Sequence, residues 1–262
     1  MPLLIERQGH VATLTLSRPQ ARNAWDEDYN EGLQTLLPEL EADAGIRCVI
    51  LTGDEAGRAF SAGANLADEA THTVASPADF IEQIPTWQHF AANLISDFAK
   101  PIVAAVNGLA IGIGSIATYS CDLIVASERA EWRAPQVQLG VMPAYGGSPR
   151  LARWIGKGNA MRAALGWPID ADEALRTGLA QWVTPHGELM DRAHEVAGRI
   201  AELPPLATRL AKESLNRGMD IANIKDASQA DVYRFAALSQ TEDSIEAHQA
   251  WRERRSPEVR GR

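Results

Sequence analysis

The chain has two cysteines in 262 residues, Cys48 and Cys121. Each sits in an apolar, strand-like run with nothing at metal-ligand spacing beside it, so two buried free thiols are expected. That usage fits a reducing, cytoplasmic location. Long apolar runs are also missing. None approaches the ~18 residues of a membrane-crossing helix. The segment Met1-Pro-Leu-Leu-Ile-Glu6 reaches a charge at once and does not read as a signal peptide. Basic residues are outnumbered, 25 Lys and Arg against 34 Asp and Glu, for a formal net charge of −9. With no long Lys/Arg run, this argues against nucleic acid or an anionic membrane surface as the main partner. An anionic ligand would need a local basic patch. P-loop, H-E-x-x-H and G-x-S-x-G motifs are absent, and Ser61 and Ser115 have no Asp/His partner at readable spacing.

What is present suffices for one sizeable core with a smaller appended unit, since 45% of the residues are hydrophobic. His10 to Leu16 alternates and reads as a strand. Asp26 is placed to cap a helix reaching about Asp43, with Leu33, Leu36, Leu37 and Leu40 at helical spacing and Pro38 expected to bend it. Cys48 to Leu51, Ile102 to Val106 and Asp122 to Ala126 read as buried strands. Pro77 to Phe98 reads as a helix broken near Pro85, and residues 114–119 as a short one. Residues 53–65 and 135–149 read as loops. From Arg150 to Arg254 the composition is almost entirely helical, with breaks at Gly166-Trp-Pro168 and Pro204-Pro205. Separate helices are expected over Leu189–Leu203, Leu206–Met219, Ile224–Leu238 and Asp243–Arg254. The whole predicts an α/β core with a helical C-terminal region.

Two glycine-bearing loops stand out, Phe60-Ser-Ala-Gly-Ala-Asn-Leu66 and Val106-Asn-Gly-Leu-Ala-Ile-Gly-Ile-Gly-Ser115. Each follows an apolar run, and the unit of strand, glycine loop and helix recurs about 55 residues apart. Two such loops can aim two N–H groups at one oxygen, which is an oxyanion hole. Gly112-Ile-Gly-Ser-Ile-Ala117 also fits G-x-G-x-x-A. Five residues separate its first glycine from the preceding strand, however, which disfavours a dinucleotide site. The plain alternative is that these glycines only permit tight turns.

The chain resembles the crotonase (enoyl-CoA hydratase/isomerase) superfamily over nearly its whole length. The matching pieces, in order, are Ser17-Arg-Pro-Gln-Ala-Arg-Asn-Ala24, Phe60 to Leu66, Lys100-Pro-Ile-Val-Ala-Ala-Val-Asn-Gly108, Cys121-Asp-Leu-Ile-Val-Ala126, Leu139-Gly-Val-Met-Pro143, Gly146-Gly147, and Glu242-Asp-Ser-Ile-Glu246 with Trp251 and Arg254. The resemblance implies a spiral of ββα turns over residues 1–200 and a helical trimerisation region over 201–262, assembled as a homotrimer or dimer of trimers. It implies an acyl-CoA thioester substrate and no cofactor beyond the CoA that the substrate carries. The oxyanion donors carry over to the N–H groups of Ala64 and Ile113, flanked by Gly63 and Gly112. A helix starting near Ile113 would add its positive end there. Arg22 becomes a CoA contact, with a solvated turn residue as its rival reading, and the backbone at Ala62 should face the adenine.

The same resemblance exposes what is missing. One glutamate of the hydratases falls on Ile116, which cannot titrate. The other falls on Gln136, which can hold a water or a carbonyl but cannot take a proton. A further carboxylate site of some relatives falls on Ala144. General acid–base groups typically contribute about 10²–10⁴-fold each. His89 matches the register of a catalytic histidine in a dehalogenase relative and is the leading candidate for a proton-moving group; a packing histidine is the alternative. Tyr145 could donate a proton or line the pocket. His72, Glu131 and Asp68 read as solvated surface, and Trp87 and Trp132 as packing or pocket walls. Three functions compete. The first is a lyase working through an oxyanion-stabilised enolate, by decarboxylation or C–C cleavage. The second is an enoyl-CoA hydratase/isomerase of fatty-acid metabolism with a non-standard acid/base. The third is a non-catalytic acyl-CoA binding protein.

Overall fold

Strands buried on both faces need continuous apolar runs rather than alternation, and that is how the central sheet is written. The computed structural model describes residues 2–67, 76–79, 81–82 and 90–262. Its strands in chain order are β1 (Leu3–Gln8), β2 (Val11–Leu16), β3 (Cys48–Gly53), β4 (Ala59–Ser61), β5 (Ile102–Val106), β6 (Leu109–Ile111), β7 (Leu123–Ser127), β8 (Glu131–Arg133), β9 (Ile169–Asp170) and β10 (Trp182–Thr184). One sheet has the order β1-β2-β3-β5-β7-β10, the other β4-β6-β8-β9. In the first, only β1 runs antiparallel to its neighbour; in the second, only β9 does.

Helices with both ends described are α1 (Glu27–Ala42), α2 (Ala91–Asp97), α3 (Ile113–Thr118), α4 (Gly147–Ala164), α5 (Ala171–Thr177), α6 (Leu189–Ala201), α7 (Pro205–Gly218), α8 (Ile224–Leu238) and α9 (Glu242–Glu253). The chain therefore coils. β3 then β4, β5 then β6, and β7 then β8 each give one strand to each sheet before a helix closes the turn. This is the spiral of ββα turns that the resemblance implies.

Period-two geometry splits the long sheet between two cores. Val49 and Leu51 of β3 face Leu33, Leu36, Leu37 and Leu40 of α1, while Cys48 and Ile50 belong with α6. α6 presents Leu189, Ala193, Val196 and Ala197 to that second face, one stripe of a 3.6-residue helix. Cys48 and Cys121 are both buried and free, and burial pushes both thiols upward, Cys48 to about 12.

The C-terminal helices are tied to the core by buried polar contacts. Arg47 donates to the carbonyls of Ala201 (3.0 Å) and Val259 (2.9 Å). Lys212 of α7, 8% exposed, reaches under the sheet. Its Nζ lies 2.7 Å from Asp122 Oδ2 and 3.1 Å from the Lys100 carbonyl. The same Asp122 oxygen accepts from Ile102 N–H at 2.7 Å. Burial raises the Asp122 carboxyl pKa, against the pull of Lys212 and that N–H.

Several sequence expectations change. The 53–65 loop contains β4 and a 3-10 turn at Glu55–Gly57. Residues 135–149 begin with a 3-10 turn, Pro135–Leu139, and end inside α4. β9 and β10 interrupt the stretch after Arg150 that composition reads as helix. All these strands have two or three residues and exist only through pairing with distant segments. Asp26 does occupy the cap position of α1, but its side chain makes no cap bond; it pairs with Arg18 instead. α1 runs through Pro38 without a break. No helix among the described residues is long and apolar enough to cross a membrane.

Candidate active site

Parallel pairing of β4 with β6 sets Ala59 beside Leu109 and Ser61 beside Ala110, with a register shift between the two pairs. The glycine loops therefore leave the same end of two neighbouring strands, about 4.8 Å apart. Two glycines let them stay close. A methyl group placed on Gly63, at φ +86°, would lie 2.8 Å from the Ile111 carbonyl oxygen. One placed on Gly114 would lie 2.7 Å from Ser61 Cβ.

Ala64 is held by a parallel bridge to Trp25. Trp25 N–H donates to Gly63 O at 2.7 Å, and Asn65 N–H donates to Trp25 O at 2.8 Å. That pattern uses the groups on either side of Ala64 and turns its own N–H away from Trp25. Ile113 opens α3, so its N–H has no intrahelical acceptor. Gly112, at φ +55° and ψ −115°, makes the turn into that helix, with its own N–H on Arg133 O at 2.9 Å. Ser115 Oγ fastens the helix to Ala110 O at 2.5 Å. Neither Ala64 N–H nor Ile113 N–H donates to any acceptor among the described residues. Two unused donors thus stand at adjacent strand ends, Ala64 exposed and Ile113 8% exposed. α3 has only six residues, so its end adds little field of its own.

The CoA-side candidates come together on the same edge. Ala62 N–H donates to Arg22 O at 3.0 Å. Arg22 and Asn23 both take left-handed backbone, φ +52° and +56°. Asn23 holds this turn and is fully buried. Its Nδ2 donates to Asp54 O (2.9 Å) and Ala59 O (2.8 Å), while Oδ1 accepts from Arg18 N–H (3.1 Å). Arg22 is exposed and makes no ion pair among the described residues. Sequence reasoning found Arg22 and missed Asn23 and Trp25, whose roles lie in bonds to segments about 30 to 40 residues away.

Around the two donors, proton-transfer groups are scarce among the described residues. Ile116 is 1% exposed. Its Cδ1 lies 2.7 Å from where a methyl group on Gly147 would sit, so the side chain rests on the glycine backbone at the start of α4. Gln136 lies over Gly112, with Nε2 3.4 Å from the position a methyl group there would take. Its Oε1 is buried and accepts no hydrogen bond from a described residue. Tyr145, at φ +53°, stacks its ring on Phe90 with centroids 4.2 Å apart and planes 9° from parallel. Burial raises its phenol pKa. Arg150 clamps this turn to α2, donating to Tyr145 O (2.6 Å), Asn93 Oδ1 (2.8 Å) and Ser96 Oγ (3.2 Å). Ala144 is exposed. Glu131 pairs with Arg133, and Trp132 is buried with its indole N–H on Thr118 Oγ1 at 2.9 Å, a packing role. His89, His72, Asp68 and Trp87 lie outside the described residues.

A ββα spiral of two interleaved sheets defines the crotonase class of fold. The chain belongs to the enoyl-CoA hydratase/isomerase family, whose model matches residues 6–262. It is 37% identical to the 2,3-dehydroadipyl-CoA hydratase of Escherichia coli over 265 residues, 99% of each chain. It is 36% identical to the short-chain-enoyl-CoA hydratase of Clostridium acetobutylicum, over 98% of this chain and 96% of that one. The crystal structure of an enoyl-CoA hydratase from Bacillus anthracis superposes with a TM-score of 0.92 at 30% identity, covering both chains fully.

Proposed function

We propose that this chain binds an acyl-CoA thioester and stabilises negative charge on its carbonyl oxygen with the N–H groups of Ala64 and Ile113. The observation that carries this reading is the pair of unused backbone donors at adjacent parallel strand ends. Preorganised donors of this kind are worth about 10²–10³-fold each where measured. Arg22 and the Ala62 backbone supply the CoA side, with the thioester between them and Ile113.

For the reaction, the curated relatives carry hydratase names, which supports an enoyl-CoA hydratase/isomerase over the lyase chemistry that the residues by themselves suggest. Ile116 and Gln136 rule out the two-glutamate form of water addition, because neither exchanges a proton near neutral pH. His89 is then the leading candidate to move it, with residues 67–76 and Tyr145 as the other sources. Decarboxylation or C–C cleavage stays as the second reading on one specific observation. The wall at Ile116 is apolar and buried, and loss of CO₂ leaves an enolate that needs only a proton donor afterwards.

Crotonyl-CoA, with loss of the conjugated enoyl absorbance, separates these readings. Turnover near ~10 s⁻¹, a typical enzyme median, supports the hydratase. Turnover confined to malonyl-type or β-ketoacyl thioesters supports the lyase. Tight binding of every thioester without turnover supports a binding protein, and failure of all of them to bind would overturn the proposal. Wherever turnover is found, His89→Ala is expected to lower it by about 10²–10⁴-fold; an unchanged rate removes that residue from the mechanism.

Self-association through the C-terminal helices belongs to the same proposal. Ile224, Tyr233 and Phe235 of α8 are 76%, 67% and 74% exposed, and Trp251 of α9 is 81% exposed. Faces this apolar support burial against further copies. Light scattering is expected to return the mass of three or six chains; a single-chain mass refutes it.

A further inference from the structure

Ile113 N–H points where α3 points, and α3 has little of its own to fix that direction. It has six residues, well short of the ~12 at which an isolated helix becomes even marginally stable. Glycines flank Ile113 on both sides, and the cap residue Gly112 makes no side-chain bond. The direction must be set from outside the helix.

Hydroxyl groups on α3 and in the turn behind it show two patterns. Thr118 Oγ1 donates to Ser115 O at 2.7 Å, and Ser120 Oγ donates to Ile116 O at 2.8 Å. These are the usual back-bonds to a carbonyl three or four residues earlier, and they tie helix only to helix. Ser115 departs from this. Its side chain is buried, and Oγ lies 2.5 Å from Ala110 O of β6 and 3.2 Å from Arg133 O of β8. A hydroxyl has one proton to donate, and the nearer Ala110 O takes it. Arg133 O already accepts Gly112 N–H at 2.9 Å. Two residues after the donor, the first turn of α3 is therefore pinned to the strand it leaves and lies against the next one. The other donor loop rests on the same turn. Ser61 Oγ accepts Gly63 N–H at 3.3 Å, and Ser61 Cβ meets the backbone of Gly114.

Building on the oxyanion reading above, we propose that Ser115 is a positioning residue whose hydroxyl fixes Ile113 N–H relative to Ala64 N–H. It touches no substrate and exchanges no proton. A donor displaced by about 1 Å costs up to ~10²-fold in rate, so a bond on the far side of the helix registers in turnover.

Butyryl-CoA labelled with ¹³C at the thioester carbonyl reads the two donors directly, because a carbonyl that accepts stronger hydrogen bonds stretches at lower frequency. Isotope-edited infrared difference spectra are compared for the full chain, Ser115→Ala and Ser120→Ala. The bound band is expected below that of free butyryl-CoA in the parent and in Ser120→Ala. In Ser115→Ala it should return about halfway to the free position, as for one of two donors weakened. On any thioester that turns over, Ser115→Ala should lower kcat by about 10–10²-fold with KM within about twofold. Both variants lose one buried hydroxyl bond, so melting temperatures should fall alike and a purely structural role would leave their spectra alike. An unmoved band in Ser115→Ala, or an equal movement in Ser120→Ala, would overturn the inference while leaving the two donors in place. A parent band at the free position, or failure of butyryl-CoA to bind, overturns the oxyanion reading together with it.

Discussion

Ile113→Pro should lower kcat by about 10²–10³-fold while leaving the fold in place. The substitution deletes one backbone N–H, the size of loss seen when a single oxyanion donor is removed. Proline is normally ruinous within a helix, but at the first helical position its missing N–H has no intrahelical partner anyway. Ile113 is that position in α3. Proline also restricts the residue before it, favouring extended backbone there. Gly112, at φ +55° and ψ −115°, is the mirror image of such a conformation, and glycine is achiral. The residue before the ring therefore already has a compatible backbone. Ile113→Ala is the control, since it trims the side chain and keeps the N–H. Turnover is measured on whichever thioester the substrate panel identifies, with melting temperature alongside. A proline variant that keeps full activity would show that Ile113 N–H does no catalytic work.

Lys212→Met is expected to cost about 3–5 kcal/mol of stability, the range found when one partner of a buried ion pair is removed. The cost comes from Asp122, left charged beneath the sheet with only Ile102 N–H to satisfy it. It follows that the deficit depends on pH. The Asp122 pKa is already raised in the folded chain by burial, and losing the ammonium raises it further. A carboxyl that holds its proton more tightly folded than unfolded costs nothing below the unfolded pKa of 3.8. The cost then grows as pH rises from there through the raised folded pKa. Urea unfolding of the variant should show the smallest deficit near pH 4 and the full one at neutral pH. Adding Asp122→Asn should restore most of the loss, because the amide oxygen still accepts from Ile102. A flat pH dependence, or no recovery in the double variant, would mean that the pair is not what anchors α7.

These two tests fall on the parts of the molecule that sequence reading reached most and least well. The long buried strands, β3 and β5, announce themselves as apolar runs, and α8 falls on its predicted bounds. Glycine spacing reported two backbone turns that could present N–H groups, and it was the resemblance to the crotonase superfamily that pointed to Ala64 and Ile113 in them. β4, β6, β8, β9 and β10 were not legible, since two or three residues carry no period and their pairing is decided by distant segments. Asn23 looked like part of a loop, yet it holds three backbone groups at once. The Lys212–Asp122 pair spans 90 positions, and one lysine in an amphipathic helix carries no sign that it points inward.

The two halves of the candidate site respond differently to mutation. On the proposed reading, the hole for the thioester is made of main-chain N–H groups whose separation is fixed by strand pairing, so most side-chain replacements would leave it standing. Whatever moves a proton is a side chain, and one codon change can add or erase it. A lineage built on this scaffold can drift in what it does to an acyl group long before it loses its hold on one, and likeness of sequence among its members tracks that hold more faithfully than the reaction.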